Sequence, residues 1–278
     1  MKYRMIFIHK RKSMKKIYWR LAEHNAYIGI QCKEYQKRYK FIWGRRWWFL
    51  VKCIIRNQMQ DRIVGKVIQR KDIVQIFSRY DVISFDIFDT LLIRPYDKPT
   101  DLFEELEKRY FMPGFARARV EAEQRAREKY ILQEDVTLVQ IYEMIDAVYL
   151  TMSERETALE RAVVRANKII KILYDEAVRL GKHIVIVSDM YLTKDFLKTI
   201  LWDNGYSVFE KVYVSSETGH TKASGNMYQY VLNDFGCKAE EILHIGDNFV
   251  SDGNACRESL IDTLLIAENK TLVLISKI

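Results

Sequence analysis

Five short runs of apolar, largely β-branched residues recur from Asp81 onward, and they restrict the fold more than any other feature of this chain. They are Val82-Ile83-Ser84-Phe85, His183-Ile184-Val185-Ile186-Val187, Lys211-Val212-Tyr213-Val214, Glu241-Ile242-Leu243-His244-Ile245 and Thr263-Leu264-Leu265-Ile266. A strand with one solvated face alternates apolar and polar residues, whereas a near-continuous apolar run suits a strand buried on both faces of a parallel sheet. Stretches with helical character, 192–204 and 224–235, separate the later runs at the spacing of βα units. The expectation is an α/β fold: a doubly wound, Rossmann-like, mostly parallel five-stranded sheet. One interval breaks the alternation. Residues 97–180 show no convincing strand and read as helices over Ala116–Tyr130, Val136–Tyr149 and Glu154–Leu180, an insertion after the first strand large enough for a cap. The stretch after Thr271 is compatible with one more strand.

Charge divides the chain in two. Residues 1–80 hold 21 Lys/Arg and 4 Asp/Glu, a net of +17; the total of +8 leaves −9 for residues 81–278. The first region is also aromatic, with Phe41-Ile42-Trp43-Gly44-Arg45-Arg46-Trp47-Trp48-Phe49-Leu50-Val51-Lys52-Cys53-Ile54-Ile55-Arg56 at its centre. Such a mixture suits a helix packed on an acidic neighbour, an interfacial helix on anionic lipid, or an aromatic platform for single-stranded nucleic acid. No RNA-binding motif accompanies it, so nucleic acid is the least expected of the three. The domain reading is therefore 1–78 as a basic, mainly helical N-terminal region, 79–96 with 181–278 as the α/β core, and 97–180 as the helical cap.

With 49% hydrophobic and 29% charged residues in 278, the composition excludes wholesale disorder. Cys32, Cys53, Cys237 and Cys256 form no CxxC pair and are expected as free thiols in a reducing compartment. No secretory h-region and no apolar run of about 18 residues is present. The expectation is a cytoplasmic protein that meets an anionic membrane surface through residues 1–75. His9, His24, His183, His220 and His244 share no metal-binding spacing; His244 reads as a packed strand residue, and His220 lies near Lys222.

Three of the apolar runs end in acidic or hydroxyl groups: Asp86-Ile87-Phe88-Asp89-Thr90, Ser188-Asp189, and Gly246-Asp247-Asn248-Phe249-Val250-Ser251-Asp252. In a doubly wound sheet these ends share the carboxyl edge, where ligands bind. Carboxylates gathered there repel one another unless a hard divalent cation such as Mg²⁺ offsets them. A lysine such as Lys222 would offset the charge of a transferring phosphoryl group.

This layout resembles the haloacid-dehalogenase superfamily over residues 81–268. Asp86 and Thr90 fit its first motif, Ser188 after Ile184–Val187 the second, Lys222 before Ser224-Gly225-Asn226 the third, and Gly246-Asp247 with Asp252 the fourth. The resemblance implies a hydrolase in which Asp86 attacks the substrate to give an aspartyl-phosphate that water hydrolyses. It implies Mg²⁺ held by Asp86, the Phe88 carbonyl, Asp247 and Asp252, the last directly or through water. Ser188 and Thr90 would bond phosphoryl oxygens or orient the nucleophile, and Lys222 would bridge Asp86 and the phosphoryl group.

One position departs from the pattern. Phosphatases of this superfamily place an acid–base aspartate two residues after the nucleophile, where Phe88 stands here. Loss of a positioned proton donor typically costs ~10²–10⁴-fold in rate. Asp89, one position on, is a candidate to take over that role, although strict extended alternation would turn its side chain away. The superfamily's dehalogenases place an aromatic residue at this point. A phosphatase of a small phosphorylated metabolite, a 2-haloacid-type dehalogenase and a catalytically weak binding module all stay open. The run Ser84–Leu92 also looks like a bacterial subgroup tied to surface-polysaccharide pathways, which would imply a sugar phosphate or lipid-linked sugar.

Overall fold

The computed structural model describes residues 70–266 and the strand Leu272–Ile275. The first described element is a helix, α1 (Arg70–Phe77), after which the chain enters β1 (Val82–Phe85) and β2 (Leu92–Ile93). Four helices follow: α2 (Asp101–Tyr110), α3 (Phe115–Lys129), α4 (Leu138–Tyr142) and α5 (Met152–Val163). After β3 (Arg165–Ala166) the chain alternates through α6 (Lys168–Arg179), β4 (His183–Ser188), α7 (Lys194–Asp203), β5 (Lys211–Val214), α8 (Asn226–Phe235), β6 (Ile242–Gly246) and β7 (Asp262–Ile266). It ends in β8 (Leu272–Ile275). The aromatic-basic stretch 41–56 lies outside the described residues, as does the expected helical character of residues 1–69.

The sheet runs β5-β4-β1-β6-β7-β8. β5, β4, β1, β6 and β7 are all parallel, and β8 joins β7 antiparallel at the edge. The expected five-stranded parallel sheet is present, with β8 added. β1 is central and wholly buried. The chain builds outward from it to β4 and β5, then returns to its other side for β6 and β7. That reversal beside β1 is a topological switch point, which opens a crevice at the carboxyl ends of β1, β4 and β6.

Apolar burial explains the layers. β1 and β4 contribute Ile83, Phe85, Ile184 and Ile186 to one face, packed with Ile170, Leu173 and Tyr174 of α6 and with Ile73 and Phe77 of α1. The core therefore begins before Asp81, because α1 buries two large side chains into it. On the other face Val185 and Val187 meet Met227, Tyr228 and Val231 of α8. Each fully buried residue of this size contributes roughly 1.5–3 kcal/mol of transfer free energy.

The insertion read as 97–180 divides. Helices α2 to α5 share a separate apolar cluster built on Phe103, Leu106, Phe115, Ile141 and Leu159. α6 instead turns its apolar stripe to the sheet and belongs with the α/β core. β2 and β3 mark the boundary: Leu92 pairs with Ala166 and Ile93 with Arg165, antiparallel, so one two-stranded ribbon carries the chain out to the insertion and back. Sequence periodicity runs continuously from Glu154 to Leu180, and a two-residue strand is too short to register in it.

A second tie fixes the insertion to the core. The Glu134 carboxylate accepts from the Thr221 amide at 2.7 Å, the Thr221 hydroxyl at 3.0 Å, the Ser224 hydroxyl at 2.6 Å and the Asn226 amide nitrogen. Partial burial opposes its ionisation, but these bonds hold its carboxyl down at about 2. Beside it Asp135 accepts from Ser215 Oγ and from Arg127 at 2.7 Å.

Candidate active site

Three strand ends and the loop carrying Lys222 converge on one cavity of about 490 Å³, lined among others by Asp86, Phe88, Asp89, Ser188, Asp189, Lys222, Asp247 and Asp252. β1 delivers Asp86 at its carboxyl end. The Leu91 amide closes back on the Asp86 carbonyl, so the chain loops sharply instead of continuing extended. β4 delivers Ser188, and β6 delivers Gly246-Asp247. A Cβ on Gly246 would lie 2.3 Å from the Asp252 side chain, so that position admits only glycine if Asp252 is to reach the site. Asp252 is carried by a widened helical turn, Phe249–Ala255, whose start is capped by the Asn248 side chain accepting from Val250 and Ser251.

Lys222 is the hub. Its buried ammonium donates to Asp86 Oδ1 at 2.7 Å and to Asp252 Oδ1 at 2.6 Å. Its backbone amide is fixed by Asp189, 2.8 and 3.0 Å from the two carboxylate oxygens. Burial alone would pull this lysine down; Asp252, Asp86 and Asp189 together hold it well above the usual range, so it stays charged. Asp252 also receives the Asn248 amide at 2.9 Å and His244 Nε2 at 3.1 Å. Burial works against ionisation there too, but Lys222 and His244 hold the carboxyl well below the usual carboxylate range.

His244 is more than core packing. It is completely buried, and burial keeps it neutral by pulling its affinity for a second proton down. A neutral ring facing a carboxylate must place its hydrogen on Nε2, so Nδ1 accepts from Ser84 Oγ at 2.8 Å. The register that pairs Ser84 with His244 makes this contact possible. His220, by contrast, is not among the residues lining the cavity; its ring lies against Tyr230 and 3.7 Å from Glu134.

Asp86, Asp247 and Asp252 each offer an oxygen within 4.8 Å of the others, a separation that one cation can span. Burial pushes the Asp86 carboxyl upward, with Lys222 opposing and Asp252 and Asp247 adding to the rise. Burial, Asp252 and Asp89 push Asp247 up to about 6. Three carboxylates against one ammonium leave negative charge uncompensated, and an all-oxygen donor set suits a hard divalent ion. Thr90 is fully buried and donates to Asp247 Oδ1 at 3.1 Å, which places it behind an acidic oxygen of the cluster and off the cavity wall.

Phe88 faces the cavity, and the Arg94 guanidinium lies 3.8 Å from its ring centroid. Arg94 in turn makes a two-pronged pair with Glu160 of α5, at 2.7 and 3.2 Å, so the insertion supplies part of this wall. Arg94, Glu160 and Tyr191 all line the cavity. They lie outside the four motifs, and no local spacing in the sequence singles them out.

A family model for haloacid dehalogenase-like hydrolases matches residues 83–266, well over half of the chain. The chain belongs to this family. Solved structures with a similar fold include an L-2-haloacid dehalogenase at 16% identity (67% of this chain, 86% of that one, TM-score 0.47). A predicted phosphoglycolate phosphatase from Haemophilus somnus 129PT matches at 12% (70% and 87%, TM-score 0.46). A family enzyme from Bacteroides thetaiotaomicron, in complex with magnesium and inorganic phosphate, matches at 15% (66% and 92%, TM-score 0.47). Among curated proteins none matches the sequence. The family match makes this chain a haloacid dehalogenase-like hydrolase. No helix among the described residues is long and apolar enough to cross a membrane.

Proposed function

We propose that this hydrolase is a Mg²⁺-dependent phosphatase that works through an aspartyl-phosphate on Asp86. The observation that carries the reading is the cation-sized cluster of Asp86, Asp247 and Asp252 beside a buried ammonium donating to the nucleophile. Displacement of halide from carbon requires no such cluster, because the leaving group departs without phosphoryl charge to neutralise. Phosphoryl transfer spreads charge over three oxygens, and positioned cations are its main source of catalysis.

When bound, Mg²⁺ would neutralise phosphoryl oxygens and align them with the nucleophile. Asp86 and Asp247 would hold it with the Phe88 carbonyl, and Asp252 directly or through water. Asp86 Oδ2, opposite the oxygen that Lys222 occupies, attacks phosphorus. Ser188 stands buried in the cavity wall, where its hydroxyl can donate to a phosphoryl oxygen. Phe88 offers no proton to the departing oxygen, so esters with good leaving groups are the favoured substrates. The substrate is proposed to be a small phosphorylated metabolite, with a sugar phosphate as the specific class. Contact with an anionic membrane through residues 1–75 belongs to the same proposal.

The test is hydrolysis of p-nitrophenyl phosphate with and without Mg²⁺, run beside chloride release from a 2-chloro acid. Mg²⁺-dependent phosphate release without chloride release is expected. The reverse pattern would establish a dehalogenase.

The cation should also appear in stability. The folded protein binds a proton on Asp247 up to about pH 6, against 3.8 for an ordinary aspartate. That group therefore favours the fold at low pH, and its contribution is lost as pH rises through about 6. Mg²⁺ takes the proton's place, so the rise in Tm on adding it should be large at about pH 7.5 and nearly absent at about pH 5. An equal rise at both values would contradict a cation held by Asp247.

A further inference from the structure

The loop behind the nucleophile contains a carboxylate that the four motifs do not use. Asp89 adopts φ 59°, the left-handed region that non-glycine side chains seldom occupy. Aspartate tolerates this conformation better than most residues, yet glycine would enter it without strain. A non-glycine residue held there at a functional site points to a use for its side chain.

The conformation also overturns the expectation drawn from extended alternation. With the chain turned at Asp89, the side chains of Phe88 and Asp89 both line the catalytic cavity. Asp89 is exposed to solvent, and among the described residues its carboxylate makes no hydrogen bond. Arg94 and Asp247 line the same cavity as Asp89. Phe88, stacked under Arg94, cannot accept a proton.

We propose that Asp89 is the general base for the second half of the reaction, the hydrolysis of phosphorylated Asp86; this rests on the phosphatase reading above. An Asp89 carboxylate oxygen takes one proton from the attacking water as the water oxygen bonds to phosphorus. The bond from phosphorus to the Asp86 oxygen breaks, and its electron pair returns to Asp86 as carboxylate. Asp89, facing solvent, then releases the proton to bulk water. Phosphate leaves with the remaining water hydrogen, so no further reactant is required.

Two variants of the full chain test this, Asp89→Asn and Asp89→Gly. Asparagine keeps the shape and tolerates positive φ; glycine removes the side chain and the strain together. Each is mixed with p-nitrophenyl phosphate and Mg²⁺, following p-nitrophenolate and the intact mass after acid quench. The expected result is a burst of about one equivalent per site, then turnover slowed by ~10²–10⁴-fold. Protein carrying one phosphoryl group should accumulate in both variants and be absent from Asp86→Asn. Steady turnover within about threefold of the parent would overturn the proposal. So would slow turnover without phosphoprotein, which would mark a positioning role felt equally by both steps. No Mg²⁺-dependent release and no phosphoprotein from the parent itself would remove the phosphatase reading, and this proposal with it.

Discussion

Asp86→Asn is expected to abolish Mg²⁺-dependent turnover while leaving the metal-free fold intact. The amide is a poor nucleophile, and no second carboxylate occupies the same point. Asp252 is saturated by three donors, from Lys222, His244 and Asn248. A fall of at least about 10⁴-fold in kcat is expected, set against losses on the order of 10⁶-fold when covalent nucleophiles are removed. Stability should move the other way or not at all. Burial and two neighbouring carboxylates disfavour the Asp86 charge, and the substitution removes that repulsion. Lys222 keeps Asp252 at 2.6 Å, so its ammonium is not left unpaired. Tm without Mg²⁺ should therefore be equal or higher, and the Mg²⁺-induced rise should shrink. This is the stability–activity conflict expected of a site that gathers like charges for function. A variant that unfolds, or one that keeps its turnover, would show that the Asp86 carboxylate does something else.

Much of this site is legible in the sequence because strand ends carry it. Val82–Phe85 reads as a buried strand, and its last apolar residue fixes where Asp86 must stand. The same logic places Ser188 after Val187 and Asp247 after Gly246. Lys222 has no strand to mark it, and it is found through its order among the motifs. What escapes are the residues whose roles depend on three-dimensional neighbours. His244 looks like a core residue because it is one; its bonds to Ser84 and Asp252 exist only once β1 and β6 are in register. Thr90 has the right spacing for a phosphoryl contact, yet the loop turns its hydroxyl to Asp247. Asp89 is misread for a related reason. Alternation presumes an extended chain, and a single left-handed residue reverses the conclusion. The end of the insertion is obscured by periodicity, since α5 and α6 are both amphipathic and differ only in what they face.

Arg119→Leu is the substitution expected to damage stability most. The side chain is fully buried in the insertion and makes a two-pronged pair with Glu156, 2.9 Å on each arm, with Glu123 adding 3.1 Å. Tyr142 donates to Glu156 at 2.7 Å, and the Phe103 and Tyr191 rings lie 4.6 and 4.8 Å from the guanidinium. Removing the arginine leaves Glu156 charged, buried and held by one neutral donor. Breaking a buried pair in this way typically costs ~3–5 kcal/mol, mostly as the penalty on the stranded partner. Against a whole stability of about 5–15 kcal/mol, that is enough to loosen the insertion at moderate denaturant. The sign of a second experiment separates a stranded charge from lost packing. Arg119→Leu combined with Glu156→Leu removes both charges, and it should recover most of the loss despite deleting more hydrogen bonds. Urea unfolding followed by tyrosine fluorescence and by far-ultraviolet dichroism reads both effects. If the double variant is as unstable as the sum of the single ones, the arginine acts through its contacts with Phe103 and Tyr191. Because Tyr191 and Glu160 line the catalytic cavity beside this cluster, the single variant should also raise KM for a bound ester more than it lowers kcat.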